Sequence, residues 1–279
     1  FQMQQQIVAG DKIMRFMDCK TKINDGKKTA KDIDKPDIEF ENVTLELGGK
    51  KVLDNINLSI PYGKKVGIVG ATGSGKSILL KSIVRINDVN NGQIKMNGTN
   101  VKEYKTAELR EKISYVFQDA FLFSNTIDSN IAFANPDVDE SRVRECAKRA
   151  MADDFINELS DGYQTIVGEK GFGLSGGQKQ RVSIARAMLK DAPVFVFDDS
   201  TSALDAETER KLLENLRKYY KERTILIAAH KMSSVVDCDE IIYLSNGKIV
   251  ERGTFDELME LDGHFAGVYK TQMAKQTVA

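Results

Sequence analysis

The chain has 279 residues, of which 41% are hydrophobic and 29% charged, as in an ordinary globular protein of one large or two small domains. Its 40 basic and 41 acidic side chains leave a net charge of −1, so nothing favours binding to nucleic acid or to an anionic membrane surface. Cys19, Cys146 and Cys238 are scattered without metal-ligand spacing, which indicates a reducing compartment and no disulfide framework. We see no secretory signal and no apolar run near the roughly 18 residues of a membrane span, so we expect this chain itself to be soluble.

The first 36 residues are predicted to precede the folded domain. Residues 1–18 carry apolar side chains at a loose helical spacing, whereas residues 20–35 are polar, rich in Lys and Asp, and weakly patterned, as a linker would be. On these residues alone, a free amphipathic tail explains the first segment as well as a helix continuing from another domain does. We place the start of the folded domain near Asp37.

The remaining pattern predicts two kinds of sheet and a helical region. Segments 38–47 and 52–60 predict an antiparallel edge sheet, and 93–96 followed by Asn97-Gly98 predicts a short hairpin. Residues 137–190 are predicted to be mainly helical, and Asn246-Gly247 marks a late hairpin before terminal helices. A mostly parallel core sheet is predicted from strands near Val66, Ser114, Val194, Ile225 and Ile241.

Residues 70–77, Gly-Ala-Thr-Gly-Ser-Gly-Lys-Ser, form the most informative motif. They follow the apolar run 66–69 and open a helix-like segment, the context in which GxxxxGK[ST] wraps backbone N–H groups around nucleotide phosphates. We expect Lys76 to reach the β- and γ-phosphates and Ser77 to ligate Mg²⁺. The predicted nucleotide contacts of this loop are Gly70, Ala71, Thr72, Gly73, Ser74, Gly75, Lys76 and Ser77.

The segment 193–199, Pro-Val-Phe-Val-Phe-Asp-Asp, predicts a strand buried on both faces that ends in two carboxylates. A phosphate loop needs an acidic residue at the end of a buried parallel strand to hold the Mg²⁺ shell. Alone, the segment is equally compatible with an ordinary core strand followed by capping aspartates. Beside a phosphate loop, it makes Asp198 the predicted metal ligand.

The segment 174–178, Leu-Ser-Gly-Gly-Gln, precedes an apolar-periodic helix and resembles the signature sequence of the ATP-binding cassette (ABC) ATPases. Small residues at a helix start form an anion site, which in this family meets the γ-phosphate bound by the opposite subunit. The other motifs follow in the family's order: Gln118 in Val-Phe-Gln-Asp, segment 202–205 after the acidic strand, and His230 after the apolar run 224–229. The nucleotide contacts implied on the signature side are Leu174, Ser175, Gly176, Gly177 and Gln178.

The resemblance covers about residues 37–269 and implies an α/β P-loop NTPase fold. It implies a RecA-like, mostly parallel core sheet with an antiparallel β subdomain, and a nucleotide-binding domain at 37–279 with an α-helical subdomain at about 137–190. The implied activity is ATP hydrolysis with ATP and Mg²⁺ as cofactors. The residues assigned by resemblance are Asp199, His230 and Gln118 for catalysis, Ser77, Gln118 and Asp198 for Mg²⁺, and Leu47 and Asp205 beside the nucleotide.

Residues 117–127 and 167–171 look like those of ABC exporter cassettes, in which a transmembrane domain precedes the ATPase domain. In that subfamily the segment after Gln118 and the region around Glu169 contact the transmembrane domains. The resemblance therefore makes residues 1–36 the end of a membrane-domain helix and a linker. It places the chain on the cytoplasmic side of a membrane, within a transporter whose transmembrane part is missing from this chain.

Two departures from the family pattern carry predictions. Asp199 stands where competent members have the Glu that polarises the attacking water, and a displacement of ~1 Å can cost ~10²-fold in rate. Leu47 stands where an aromatic stacks on adenine, a contact worth ~1–3 kcal/mol. We therefore expect a slow site of its own and a head-to-tail dimer with a second, different cassette, whose competent site this chain's signature completes. A homodimer with two slow sites, an ATP-binding regulatory module without turnover, and a soluble ABC ATPase outside transport are the alternatives.

Overall fold

The computed structural model describes residues 2–18 and 23–278, with side chains described for 10–18 and 23–274. The helices are α1 (Gln2–Met17), α2 (Lys76–Ile83), α3 (Thr106–Glu111), α4 (Ile127–Ile131), α5 (Glu140–Arg149), α6 (Asp153–Glu158), α7 (Gly176–Lys190), α8 (Ala206–Tyr219), α9 (Phe255–Leu261) and α10 (His264–Val278). The strands are β1 (Ile38–Leu47), β2 (Lys50–Ile60), β3 (Lys65–Val69), β4 (Asn91–Met96), β5 (Thr99–Asn100), β6 (Ile113–Val116), β7 (Val194–Asp198), β8 (Thr224–Ala228), β9 (Glu240–Ser245) and β10 (Lys248–Gly253). Cys19 lies outside the described residues.

Two sheets organise the fold. The strand order is β10-β9-β3-β8-β7-β6 in one and β2-β1-β4-β5 in the other. Strands β9, β3, β8, β7 and β6 run parallel, and β10 closes the first sheet antiparallel to β9. The second sheet is antiparallel, with Phe40 of β1 opposite Leu58 and Ile94. The structure thus confirms the α/β class, with a mostly parallel core sheet and a separate antiparallel sheet.

Strand β7 separates two hydrophobic cores because its side chains alternate between the faces of the sheet. Phe195 and Phe197 pack into the core shared with α7 and the other helices on that side. Val194 and Val196 pack into the core between the two sheets, which also takes α2. The carboxyl end of β7 therefore lies where both layers meet, and this is the edge at which open α/β sheets bind ligands.

A short helix, α4, precedes residue 137, where the helical subdomain is predicted to begin. Helix α4 contributes Ile127 and Ile131 to the same core as α7, and Arg186 of α7 donates from Nε to the Asn130 carbonyl at 2.7 Å. The Thr126 side chain caps the start of α4 by accepting from Ser129 N–H. Five helical residues are too few to show a helical period, which explains why the sequence pattern did not reveal this helix.

The segment predicted as a linker is packed from Asn24 onward, while residues 20–22 lie outside the described part. Ala30 is fully buried, and the Glu108 carboxylate accepts from Thr29 Oγ1 at 2.6 Å and from Ala30 N–H at 3.0 Å. The Asn24 carbonyl accepts from the buried Arg85 guanidinium at 2.9 Å. These contacts are made by backbone groups and single small side chains, so the polar and unpatterned sequence of this segment does not predict them. Residues 24–36 therefore pack against the folded part of the chain, while the domain boundary near 36 stays a prediction.

Helix α1 precedes this packed segment. Ile13, Phe16 and Met17 are exposed on it, and Phe16 is 81% exposed. No helix within residues 2–18 and 23–278 combines the length and apolar character needed to cross a membrane.

Candidate functional site

The phosphate loop leaves β3 and enters α2, and its glycines hold it against neighbouring strands. Gly70 has a φ of +147°, and a Cβ there would lie 2.1 Å from the Leu244 carbonyl oxygen. Gly75 has a φ of +110°, and its Cβ would lie 2.7 Å from the Val52 oxygen. Larger residues would push the loop away from β2 and β9. The first-turn N–H groups of α2 have no acceptor within the helix, so the loop ends in unpaired donors suited to an anion.

Two buried polar side chains of the loop are suited to an anionic ligand. Lys76 is 5% exposed, and its Nζ donates to the loop carbonyls of Gly70 at 2.8 Å and Ala71 at 3.1 Å. The pKa of Lys76 lies below its ordinary value because burial outweighs the opposing attraction of Asp199 and Asp198. The buried Ser74 hydroxyl has no hydrogen-bond partner among the described residues. A phosphate chain in the loop would supply acceptors to both side chains, which fits the prediction for residues 70–77.

Asp198 ends β7 as a fully buried carboxylate with a different donor at each oxygen. Ser77 Oγ donates to its Oδ1 at 2.5 Å, and Tyr115 OH donates to its Oδ2 at 2.9 Å. Lys81 Nζ lies 4.0 Å from the same Oδ2. A hydroxyl beside a carboxylate is an oxygen donor set that suits Mg²⁺, so Ser77 and Asp198 fit the predicted metal site. The contributions of Tyr115 and Lys81 were not predicted.

Asp199, Gln118 and His230 come together beside this carboxylate. Gln118 Nε2 donates to Asp199 Oδ2 at 3.2 Å, and His230 Nε2 lies 3.9 Å from the same oxygen. Asp199 adopts a φ of +49°, and its N–H donates to the Ala228 carbonyl, which fixes the residue between β7 and β8. The pKa of the Asp199 carboxyl lies above its ordinary value because burial outweighs the opposing attraction of His230 and Lys76. Two of the residues predicted as catalytic, Gln118 and His230, thus approach the same carboxylate oxygen of the third, Asp199.

The signature segment 174–178 lies at the start of α7, with Leu174 buried and the following residues exposed or partly exposed. Ser175 and Gly176 are exposed. The Ser175 side chain accepts from Gln178 N–H at 3.3 Å, and the Gln178 side chain accepts from Ser175 N–H at 2.9 Å, which completes a capping box. Within the described residues, no hydrogen bond joins segment 174–178 to the phosphate loop 70–77. The signature segment is therefore held in place by the capping box and partly exposed, but among the described residues it makes no hydrogen bond to this chain's own phosphate loop.

The segment after β7 connects the acidic strand to the loop that carries His230. Ser202 Oγ donates to the Asp199 carbonyl at 2.9 Å. Asp205 caps α8 by accepting from Thr208 N–H at 2.9 Å, and that backbone hydrogen bond lowers the pKa of its carboxyl. A nucleotide contact by Asp205 stays a prediction.

A buried glutamate that the sequence analysis missed links the two loops. Glu209 of α8 is 5% exposed and accepts from Thr201 Oγ1 and Ser234 Oγ, each at 2.6 Å. Its other oxygen accepts from Lys231 Nζ at 3.1 Å, and the same Nζ donates to the Leu204 carbonyl at 3.2 Å. Glu209 thereby fixes the loop after β7 to the loop after β8.

An aromatic groove lies beside Gln118. It encloses about 570 Å³ and is lined in part by Phe117, Phe121, Phe123 and Phe133. Phe121 and Phe133 are 48% and 54% exposed, and the Phe123 and Phe133 rings stack with centroids 4.5 Å apart. An apolar groove with half-exposed aromatic rings is typical of a docking surface.

The Glu169 region meets the segment that follows Gln118 in the chain. Thr126 and Ile166 form an antiparallel bridge, and Val167 N–H donates to the Asn125 carbonyl at 3.0 Å. Ile166 and Phe172 beside this bridge are 75% and 82% exposed. The two segments predicted to contact a membrane domain are therefore adjacent.

Leu47 ends β1, is 39% exposed and lies opposite Lys50 across the turn to β2. Two residues beyond Lys50 on β2, the Val52 carbonyl approaches Gly75 of the phosphate loop. Contact between Leu47 and an adenine stays a prediction.

Comparison with known proteins is consistent across sequence and structure. A family model described as ABC transporter matches residues 53–202. The ATP-dependent lipid A-core flippase of Salmonella typhimurium (strain LT2) is 41% identical over 277 residues, covering 98% of this chain and 47% of the flippase. The flippase of the same name in Escherichia coli (strain K12) is 40% identical over 277 residues with the same coverage.

A solved structure gives the same result for the fold. The structure of a bacterial Atm1-family ABC exporter with ATP bound superposes with a TM-score of 0.91 at 33% identity, covering 97% of this chain and 48% of that one. The chain thus spans about half the length of the relatives it matches, 47% in the case of the flippases.

Proposed function

This chain belongs to the ABC transporter family and comprises its ATPase cassette, and from that premise we propose that it is a cassette of an exporter whose own nucleotide site turns over slowly. The observation that carries the proposal is the cluster of Asp199, Gln118 and His230 around one carboxylate oxygen. The cluster has the parts of a hydrolytic site, but its carboxylate is the shorter of the two acidic side chains.

MgATP fits the residues at this edge of the sheet. Lys76 and the Ser74 hydroxyl would take phosphate oxygens, while Ser77 and Asp198 would hold the metal, with Gln118 as a further ligand. Mg²⁺ would supply neutralisation of charge on the phosphates. The Gln118 amide nitrogen donates to Asp199, which leaves its amide oxygen free to serve as a metal ligand.

Slow turnover follows from the position of Asp199. Its backbone is fixed by the bond to Ala228 and by Ser202, so the carboxylate cannot advance toward a phosphate without disturbing β7 or β8. The missing methylene shortens its reach by ~1 Å, and a misplacement of that size costs up to ~10²-fold. We propose that this site retains ATP longer than a site with Glu would.

Partners follow from the two exposed surfaces. We propose that the signature segment 174–178 completes the nucleotide site of a second, different cassette in a head-to-tail dimer, because it is accessible and unconnected to its own loop. We propose that the aromatic groove and the bridged Glu169 region contact a transmembrane domain. Residues 2–17 would then continue the last helix of that domain, and the nucleotide-binding domain would follow it.

A second candidate is an ATP-binding regulatory cassette without turnover. Two observations favour it, the short carboxylate of Asp199 and the exposed aliphatic Leu47 at the proposed adenine side.

The variant Asp199→Glu distinguishes the two candidates. The ATPase rate of the purified chain, at concentrations that allow it to dimerise, should rise by about 10- to 100-fold because the carboxylate regains its reach toward the attacking water. Asp199→Asn is the matched control, since it keeps the size of Asp199, lacks a base and should not raise the rate. Activity that stays at background in the Glu variant, with ATP still bound, would favour the regulatory cassette.

A further inference from the structure

Tyr115 lies on β6 and contacts the carboxylate that the proposed function assigns to Mg²⁺. Its OH donates to Asp198 Oδ2 at 2.9 Å, while Oδ1 of the same carboxylate accepts from Ser77 Oγ at 2.5 Å. Asp198 is fully buried, so water does not compete for either oxygen. Two hydroxyl groups, one from β6 and one from α2, therefore fix the rotation of the carboxylate about its terminal bond.

The Tyr115 hydroxyl is held in a donating role. The carboxylate of Asp198 has only acceptor oxygens, so the phenol hydroxyl beside it is the donor of this hydrogen bond. Its ring packs against Phe117 with centroids 4.3 Å apart, which limits how far the hydroxyl can move. If Oδ1 served as a metal ligand in place of accepting from Ser77 Oγ, the Tyr115 bond to Oδ2 would be retained, because the two bonds use different oxygens.

We propose that Tyr115 is a positioning residue for Mg²⁺, which directs Asp198 Oδ1 toward the metal by holding Oδ2 from behind. The proposal rests on the proposed function, because it assumes that MgATP binds at residues 70–77. It extends the metal site to a third element of the fold, since Ser77 belongs to α2, Asp198 to β7 and Tyr115 to β6. Groups that hold a metal ligand from behind commonly contribute about 10- to 100-fold to metal affinity.

The test compares nucleotide binding with and without the metal. The probe is a fluorescent N-methylanthraniloyl derivative of the non-hydrolysable imido analogue of ATP, titrated with the full chain in Mg²⁺ and in EDTA. The ratio of the two dissociation constants measures the gain in affinity due to Mg²⁺. Tyr115→Phe keeps the ring and removes the hydroxyl, so we expect the ratio to fall about 10-fold with little change in EDTA.

Tyr104→Phe is the matched control. The Tyr104 hydroxyl is also buried and donates to the Met96 carbonyl at 3.0 Å, but it has no contact with Asp198. This variant also loses one buried hydroxyl bond, and its ratio should stay unchanged. A ratio in Tyr115→Phe equal to that of the unmodified chain would overturn the proposal. So would equal weakening in Mg²⁺ and EDTA, which marks a general structural role.

The proposed function can fail separately in this experiment. If the unmodified chain does not bind the probe in either medium, the nucleotide site itself is wrong, and the inference about Tyr115 is overturned with it. If it binds the probe but gains nothing from Mg²⁺, only the metal assignment and the inference are overturned.

Discussion

Lys76 shows how the phosphate loop maintains a buried charge before a ligand arrives. Its ammonium group replaces lost hydration with the carbonyls of Gly70 and Ala71, and burial still lowers its pKa. Those two carbonyls are neutral, whereas phosphate oxygens carry negative charge and form stronger bonds with an ammonium group. The lysine is therefore poised to exchange loop carbonyls for phosphate oxygens.

Lys76→Ala should weaken ATP binding by at least about 10-fold, because a charge-assisted hydrogen bond of roughly 1.5–3 kcal/mol is lost while the glycines keep the loop folded. Isothermal titration calorimetry with ATP measures the affinity directly. Lys102→Ala serves as the control, since Lys102 also donates to a backbone carbonyl, that of Val89 at 3.0 Å, but lies outside the loop. Equal affinity in the Lys76 variant and the unmodified chain would remove Lys76 from the site.

At the scale of elements, α8 joins the two loops that carry the catalytic candidates. Glu209 projects from its first turns and binds Thr201 after β7 together with Lys231 and Ser234 after β8. On the C-terminal side, Gln272 of α10 accepts from Met232 N–H and donates to the His230 carbonyl, both at 2.9 Å. The loop that presents His230 is therefore held by two helices, by α8 through the side chains of Lys231 and Ser234 and by α10 through the loop backbone.

Glu209→Ala should lower the free energy of unfolding by about 2–4 kcal/mol, since the buried hydroxyl groups of Thr201 and Ser234 and the partly exposed Lys231 lose their acceptor. Urea denaturation followed by circular dichroism measures this change. Glu214→Ala on the same helix is the control, because Glu214 forms a half-exposed ion pair with Arg210 one turn away and should change stability little. If both variants unfold alike, the Glu209 network does not stabilise the two loops.

The sequence revealed those elements whose pattern is local and missed those whose contacts are distant. Strands β7 and β8 were predictable because each is buried along its whole length and contains four consecutive apolar residues. The residues 70–77 and 174–178 were predictable because glycine spacing is itself the signal. Glu209 and Tyr115 were not predictable, because an acidic residue on a helix and a tyrosine in a strand are ordinary until their partners 25 and 83 positions away are known. The packing of 24–36 was missed for the same reason.

At the scale of the whole molecule, the neighbouring residues Phe117 and Gln118 connect the aromatic groove to the candidate nucleotide site. Gln118 contacts Asp199 through its side chain, while Phe117 beside it lines the aromatic groove. Gln180 of the signature helix α7 donates to the Phe117 carbonyl at 3.3 Å. Under the proposed function, a displacement of the groove would reach both the Asp199 cluster and helix α7 through these neighbouring residues.

A substitution at Gly176 can test the proposal that this chain's signature serves the nucleotide site of a second cassette. Gly176 is exposed, and a Cβ there would meet only Ala203 Cβ at 4.0 Å, so Gly176→Asp fits the folded chain. In the assembled transporter its carboxylate would oppose the γ-phosphate bound by the partner, where losing one transition-state donor already costs on the order of 100-fold. Steady-state ATPase should therefore fall by about that factor, whereas Asp199→Ala, which under the proposed function affects only this chain's own slow site, should change it less than about 2-fold.

The choice of Gly176 keeps the effect on the partner separate from an effect on the fold. Ser175→Arg would also block the signature, but it removes the capping box of α7 and about 1 kcal/mol with it. Gly267→Asp is the matched control, since a Cβ added to this helical glycine of α10 would meet no described atom within 4 Å, and ATPase should be unchanged. If Asp199→Ala abolishes turnover while Gly176→Asp is mild, the two sites do not divide the work and Asp199 is itself a working catalytic carboxylate.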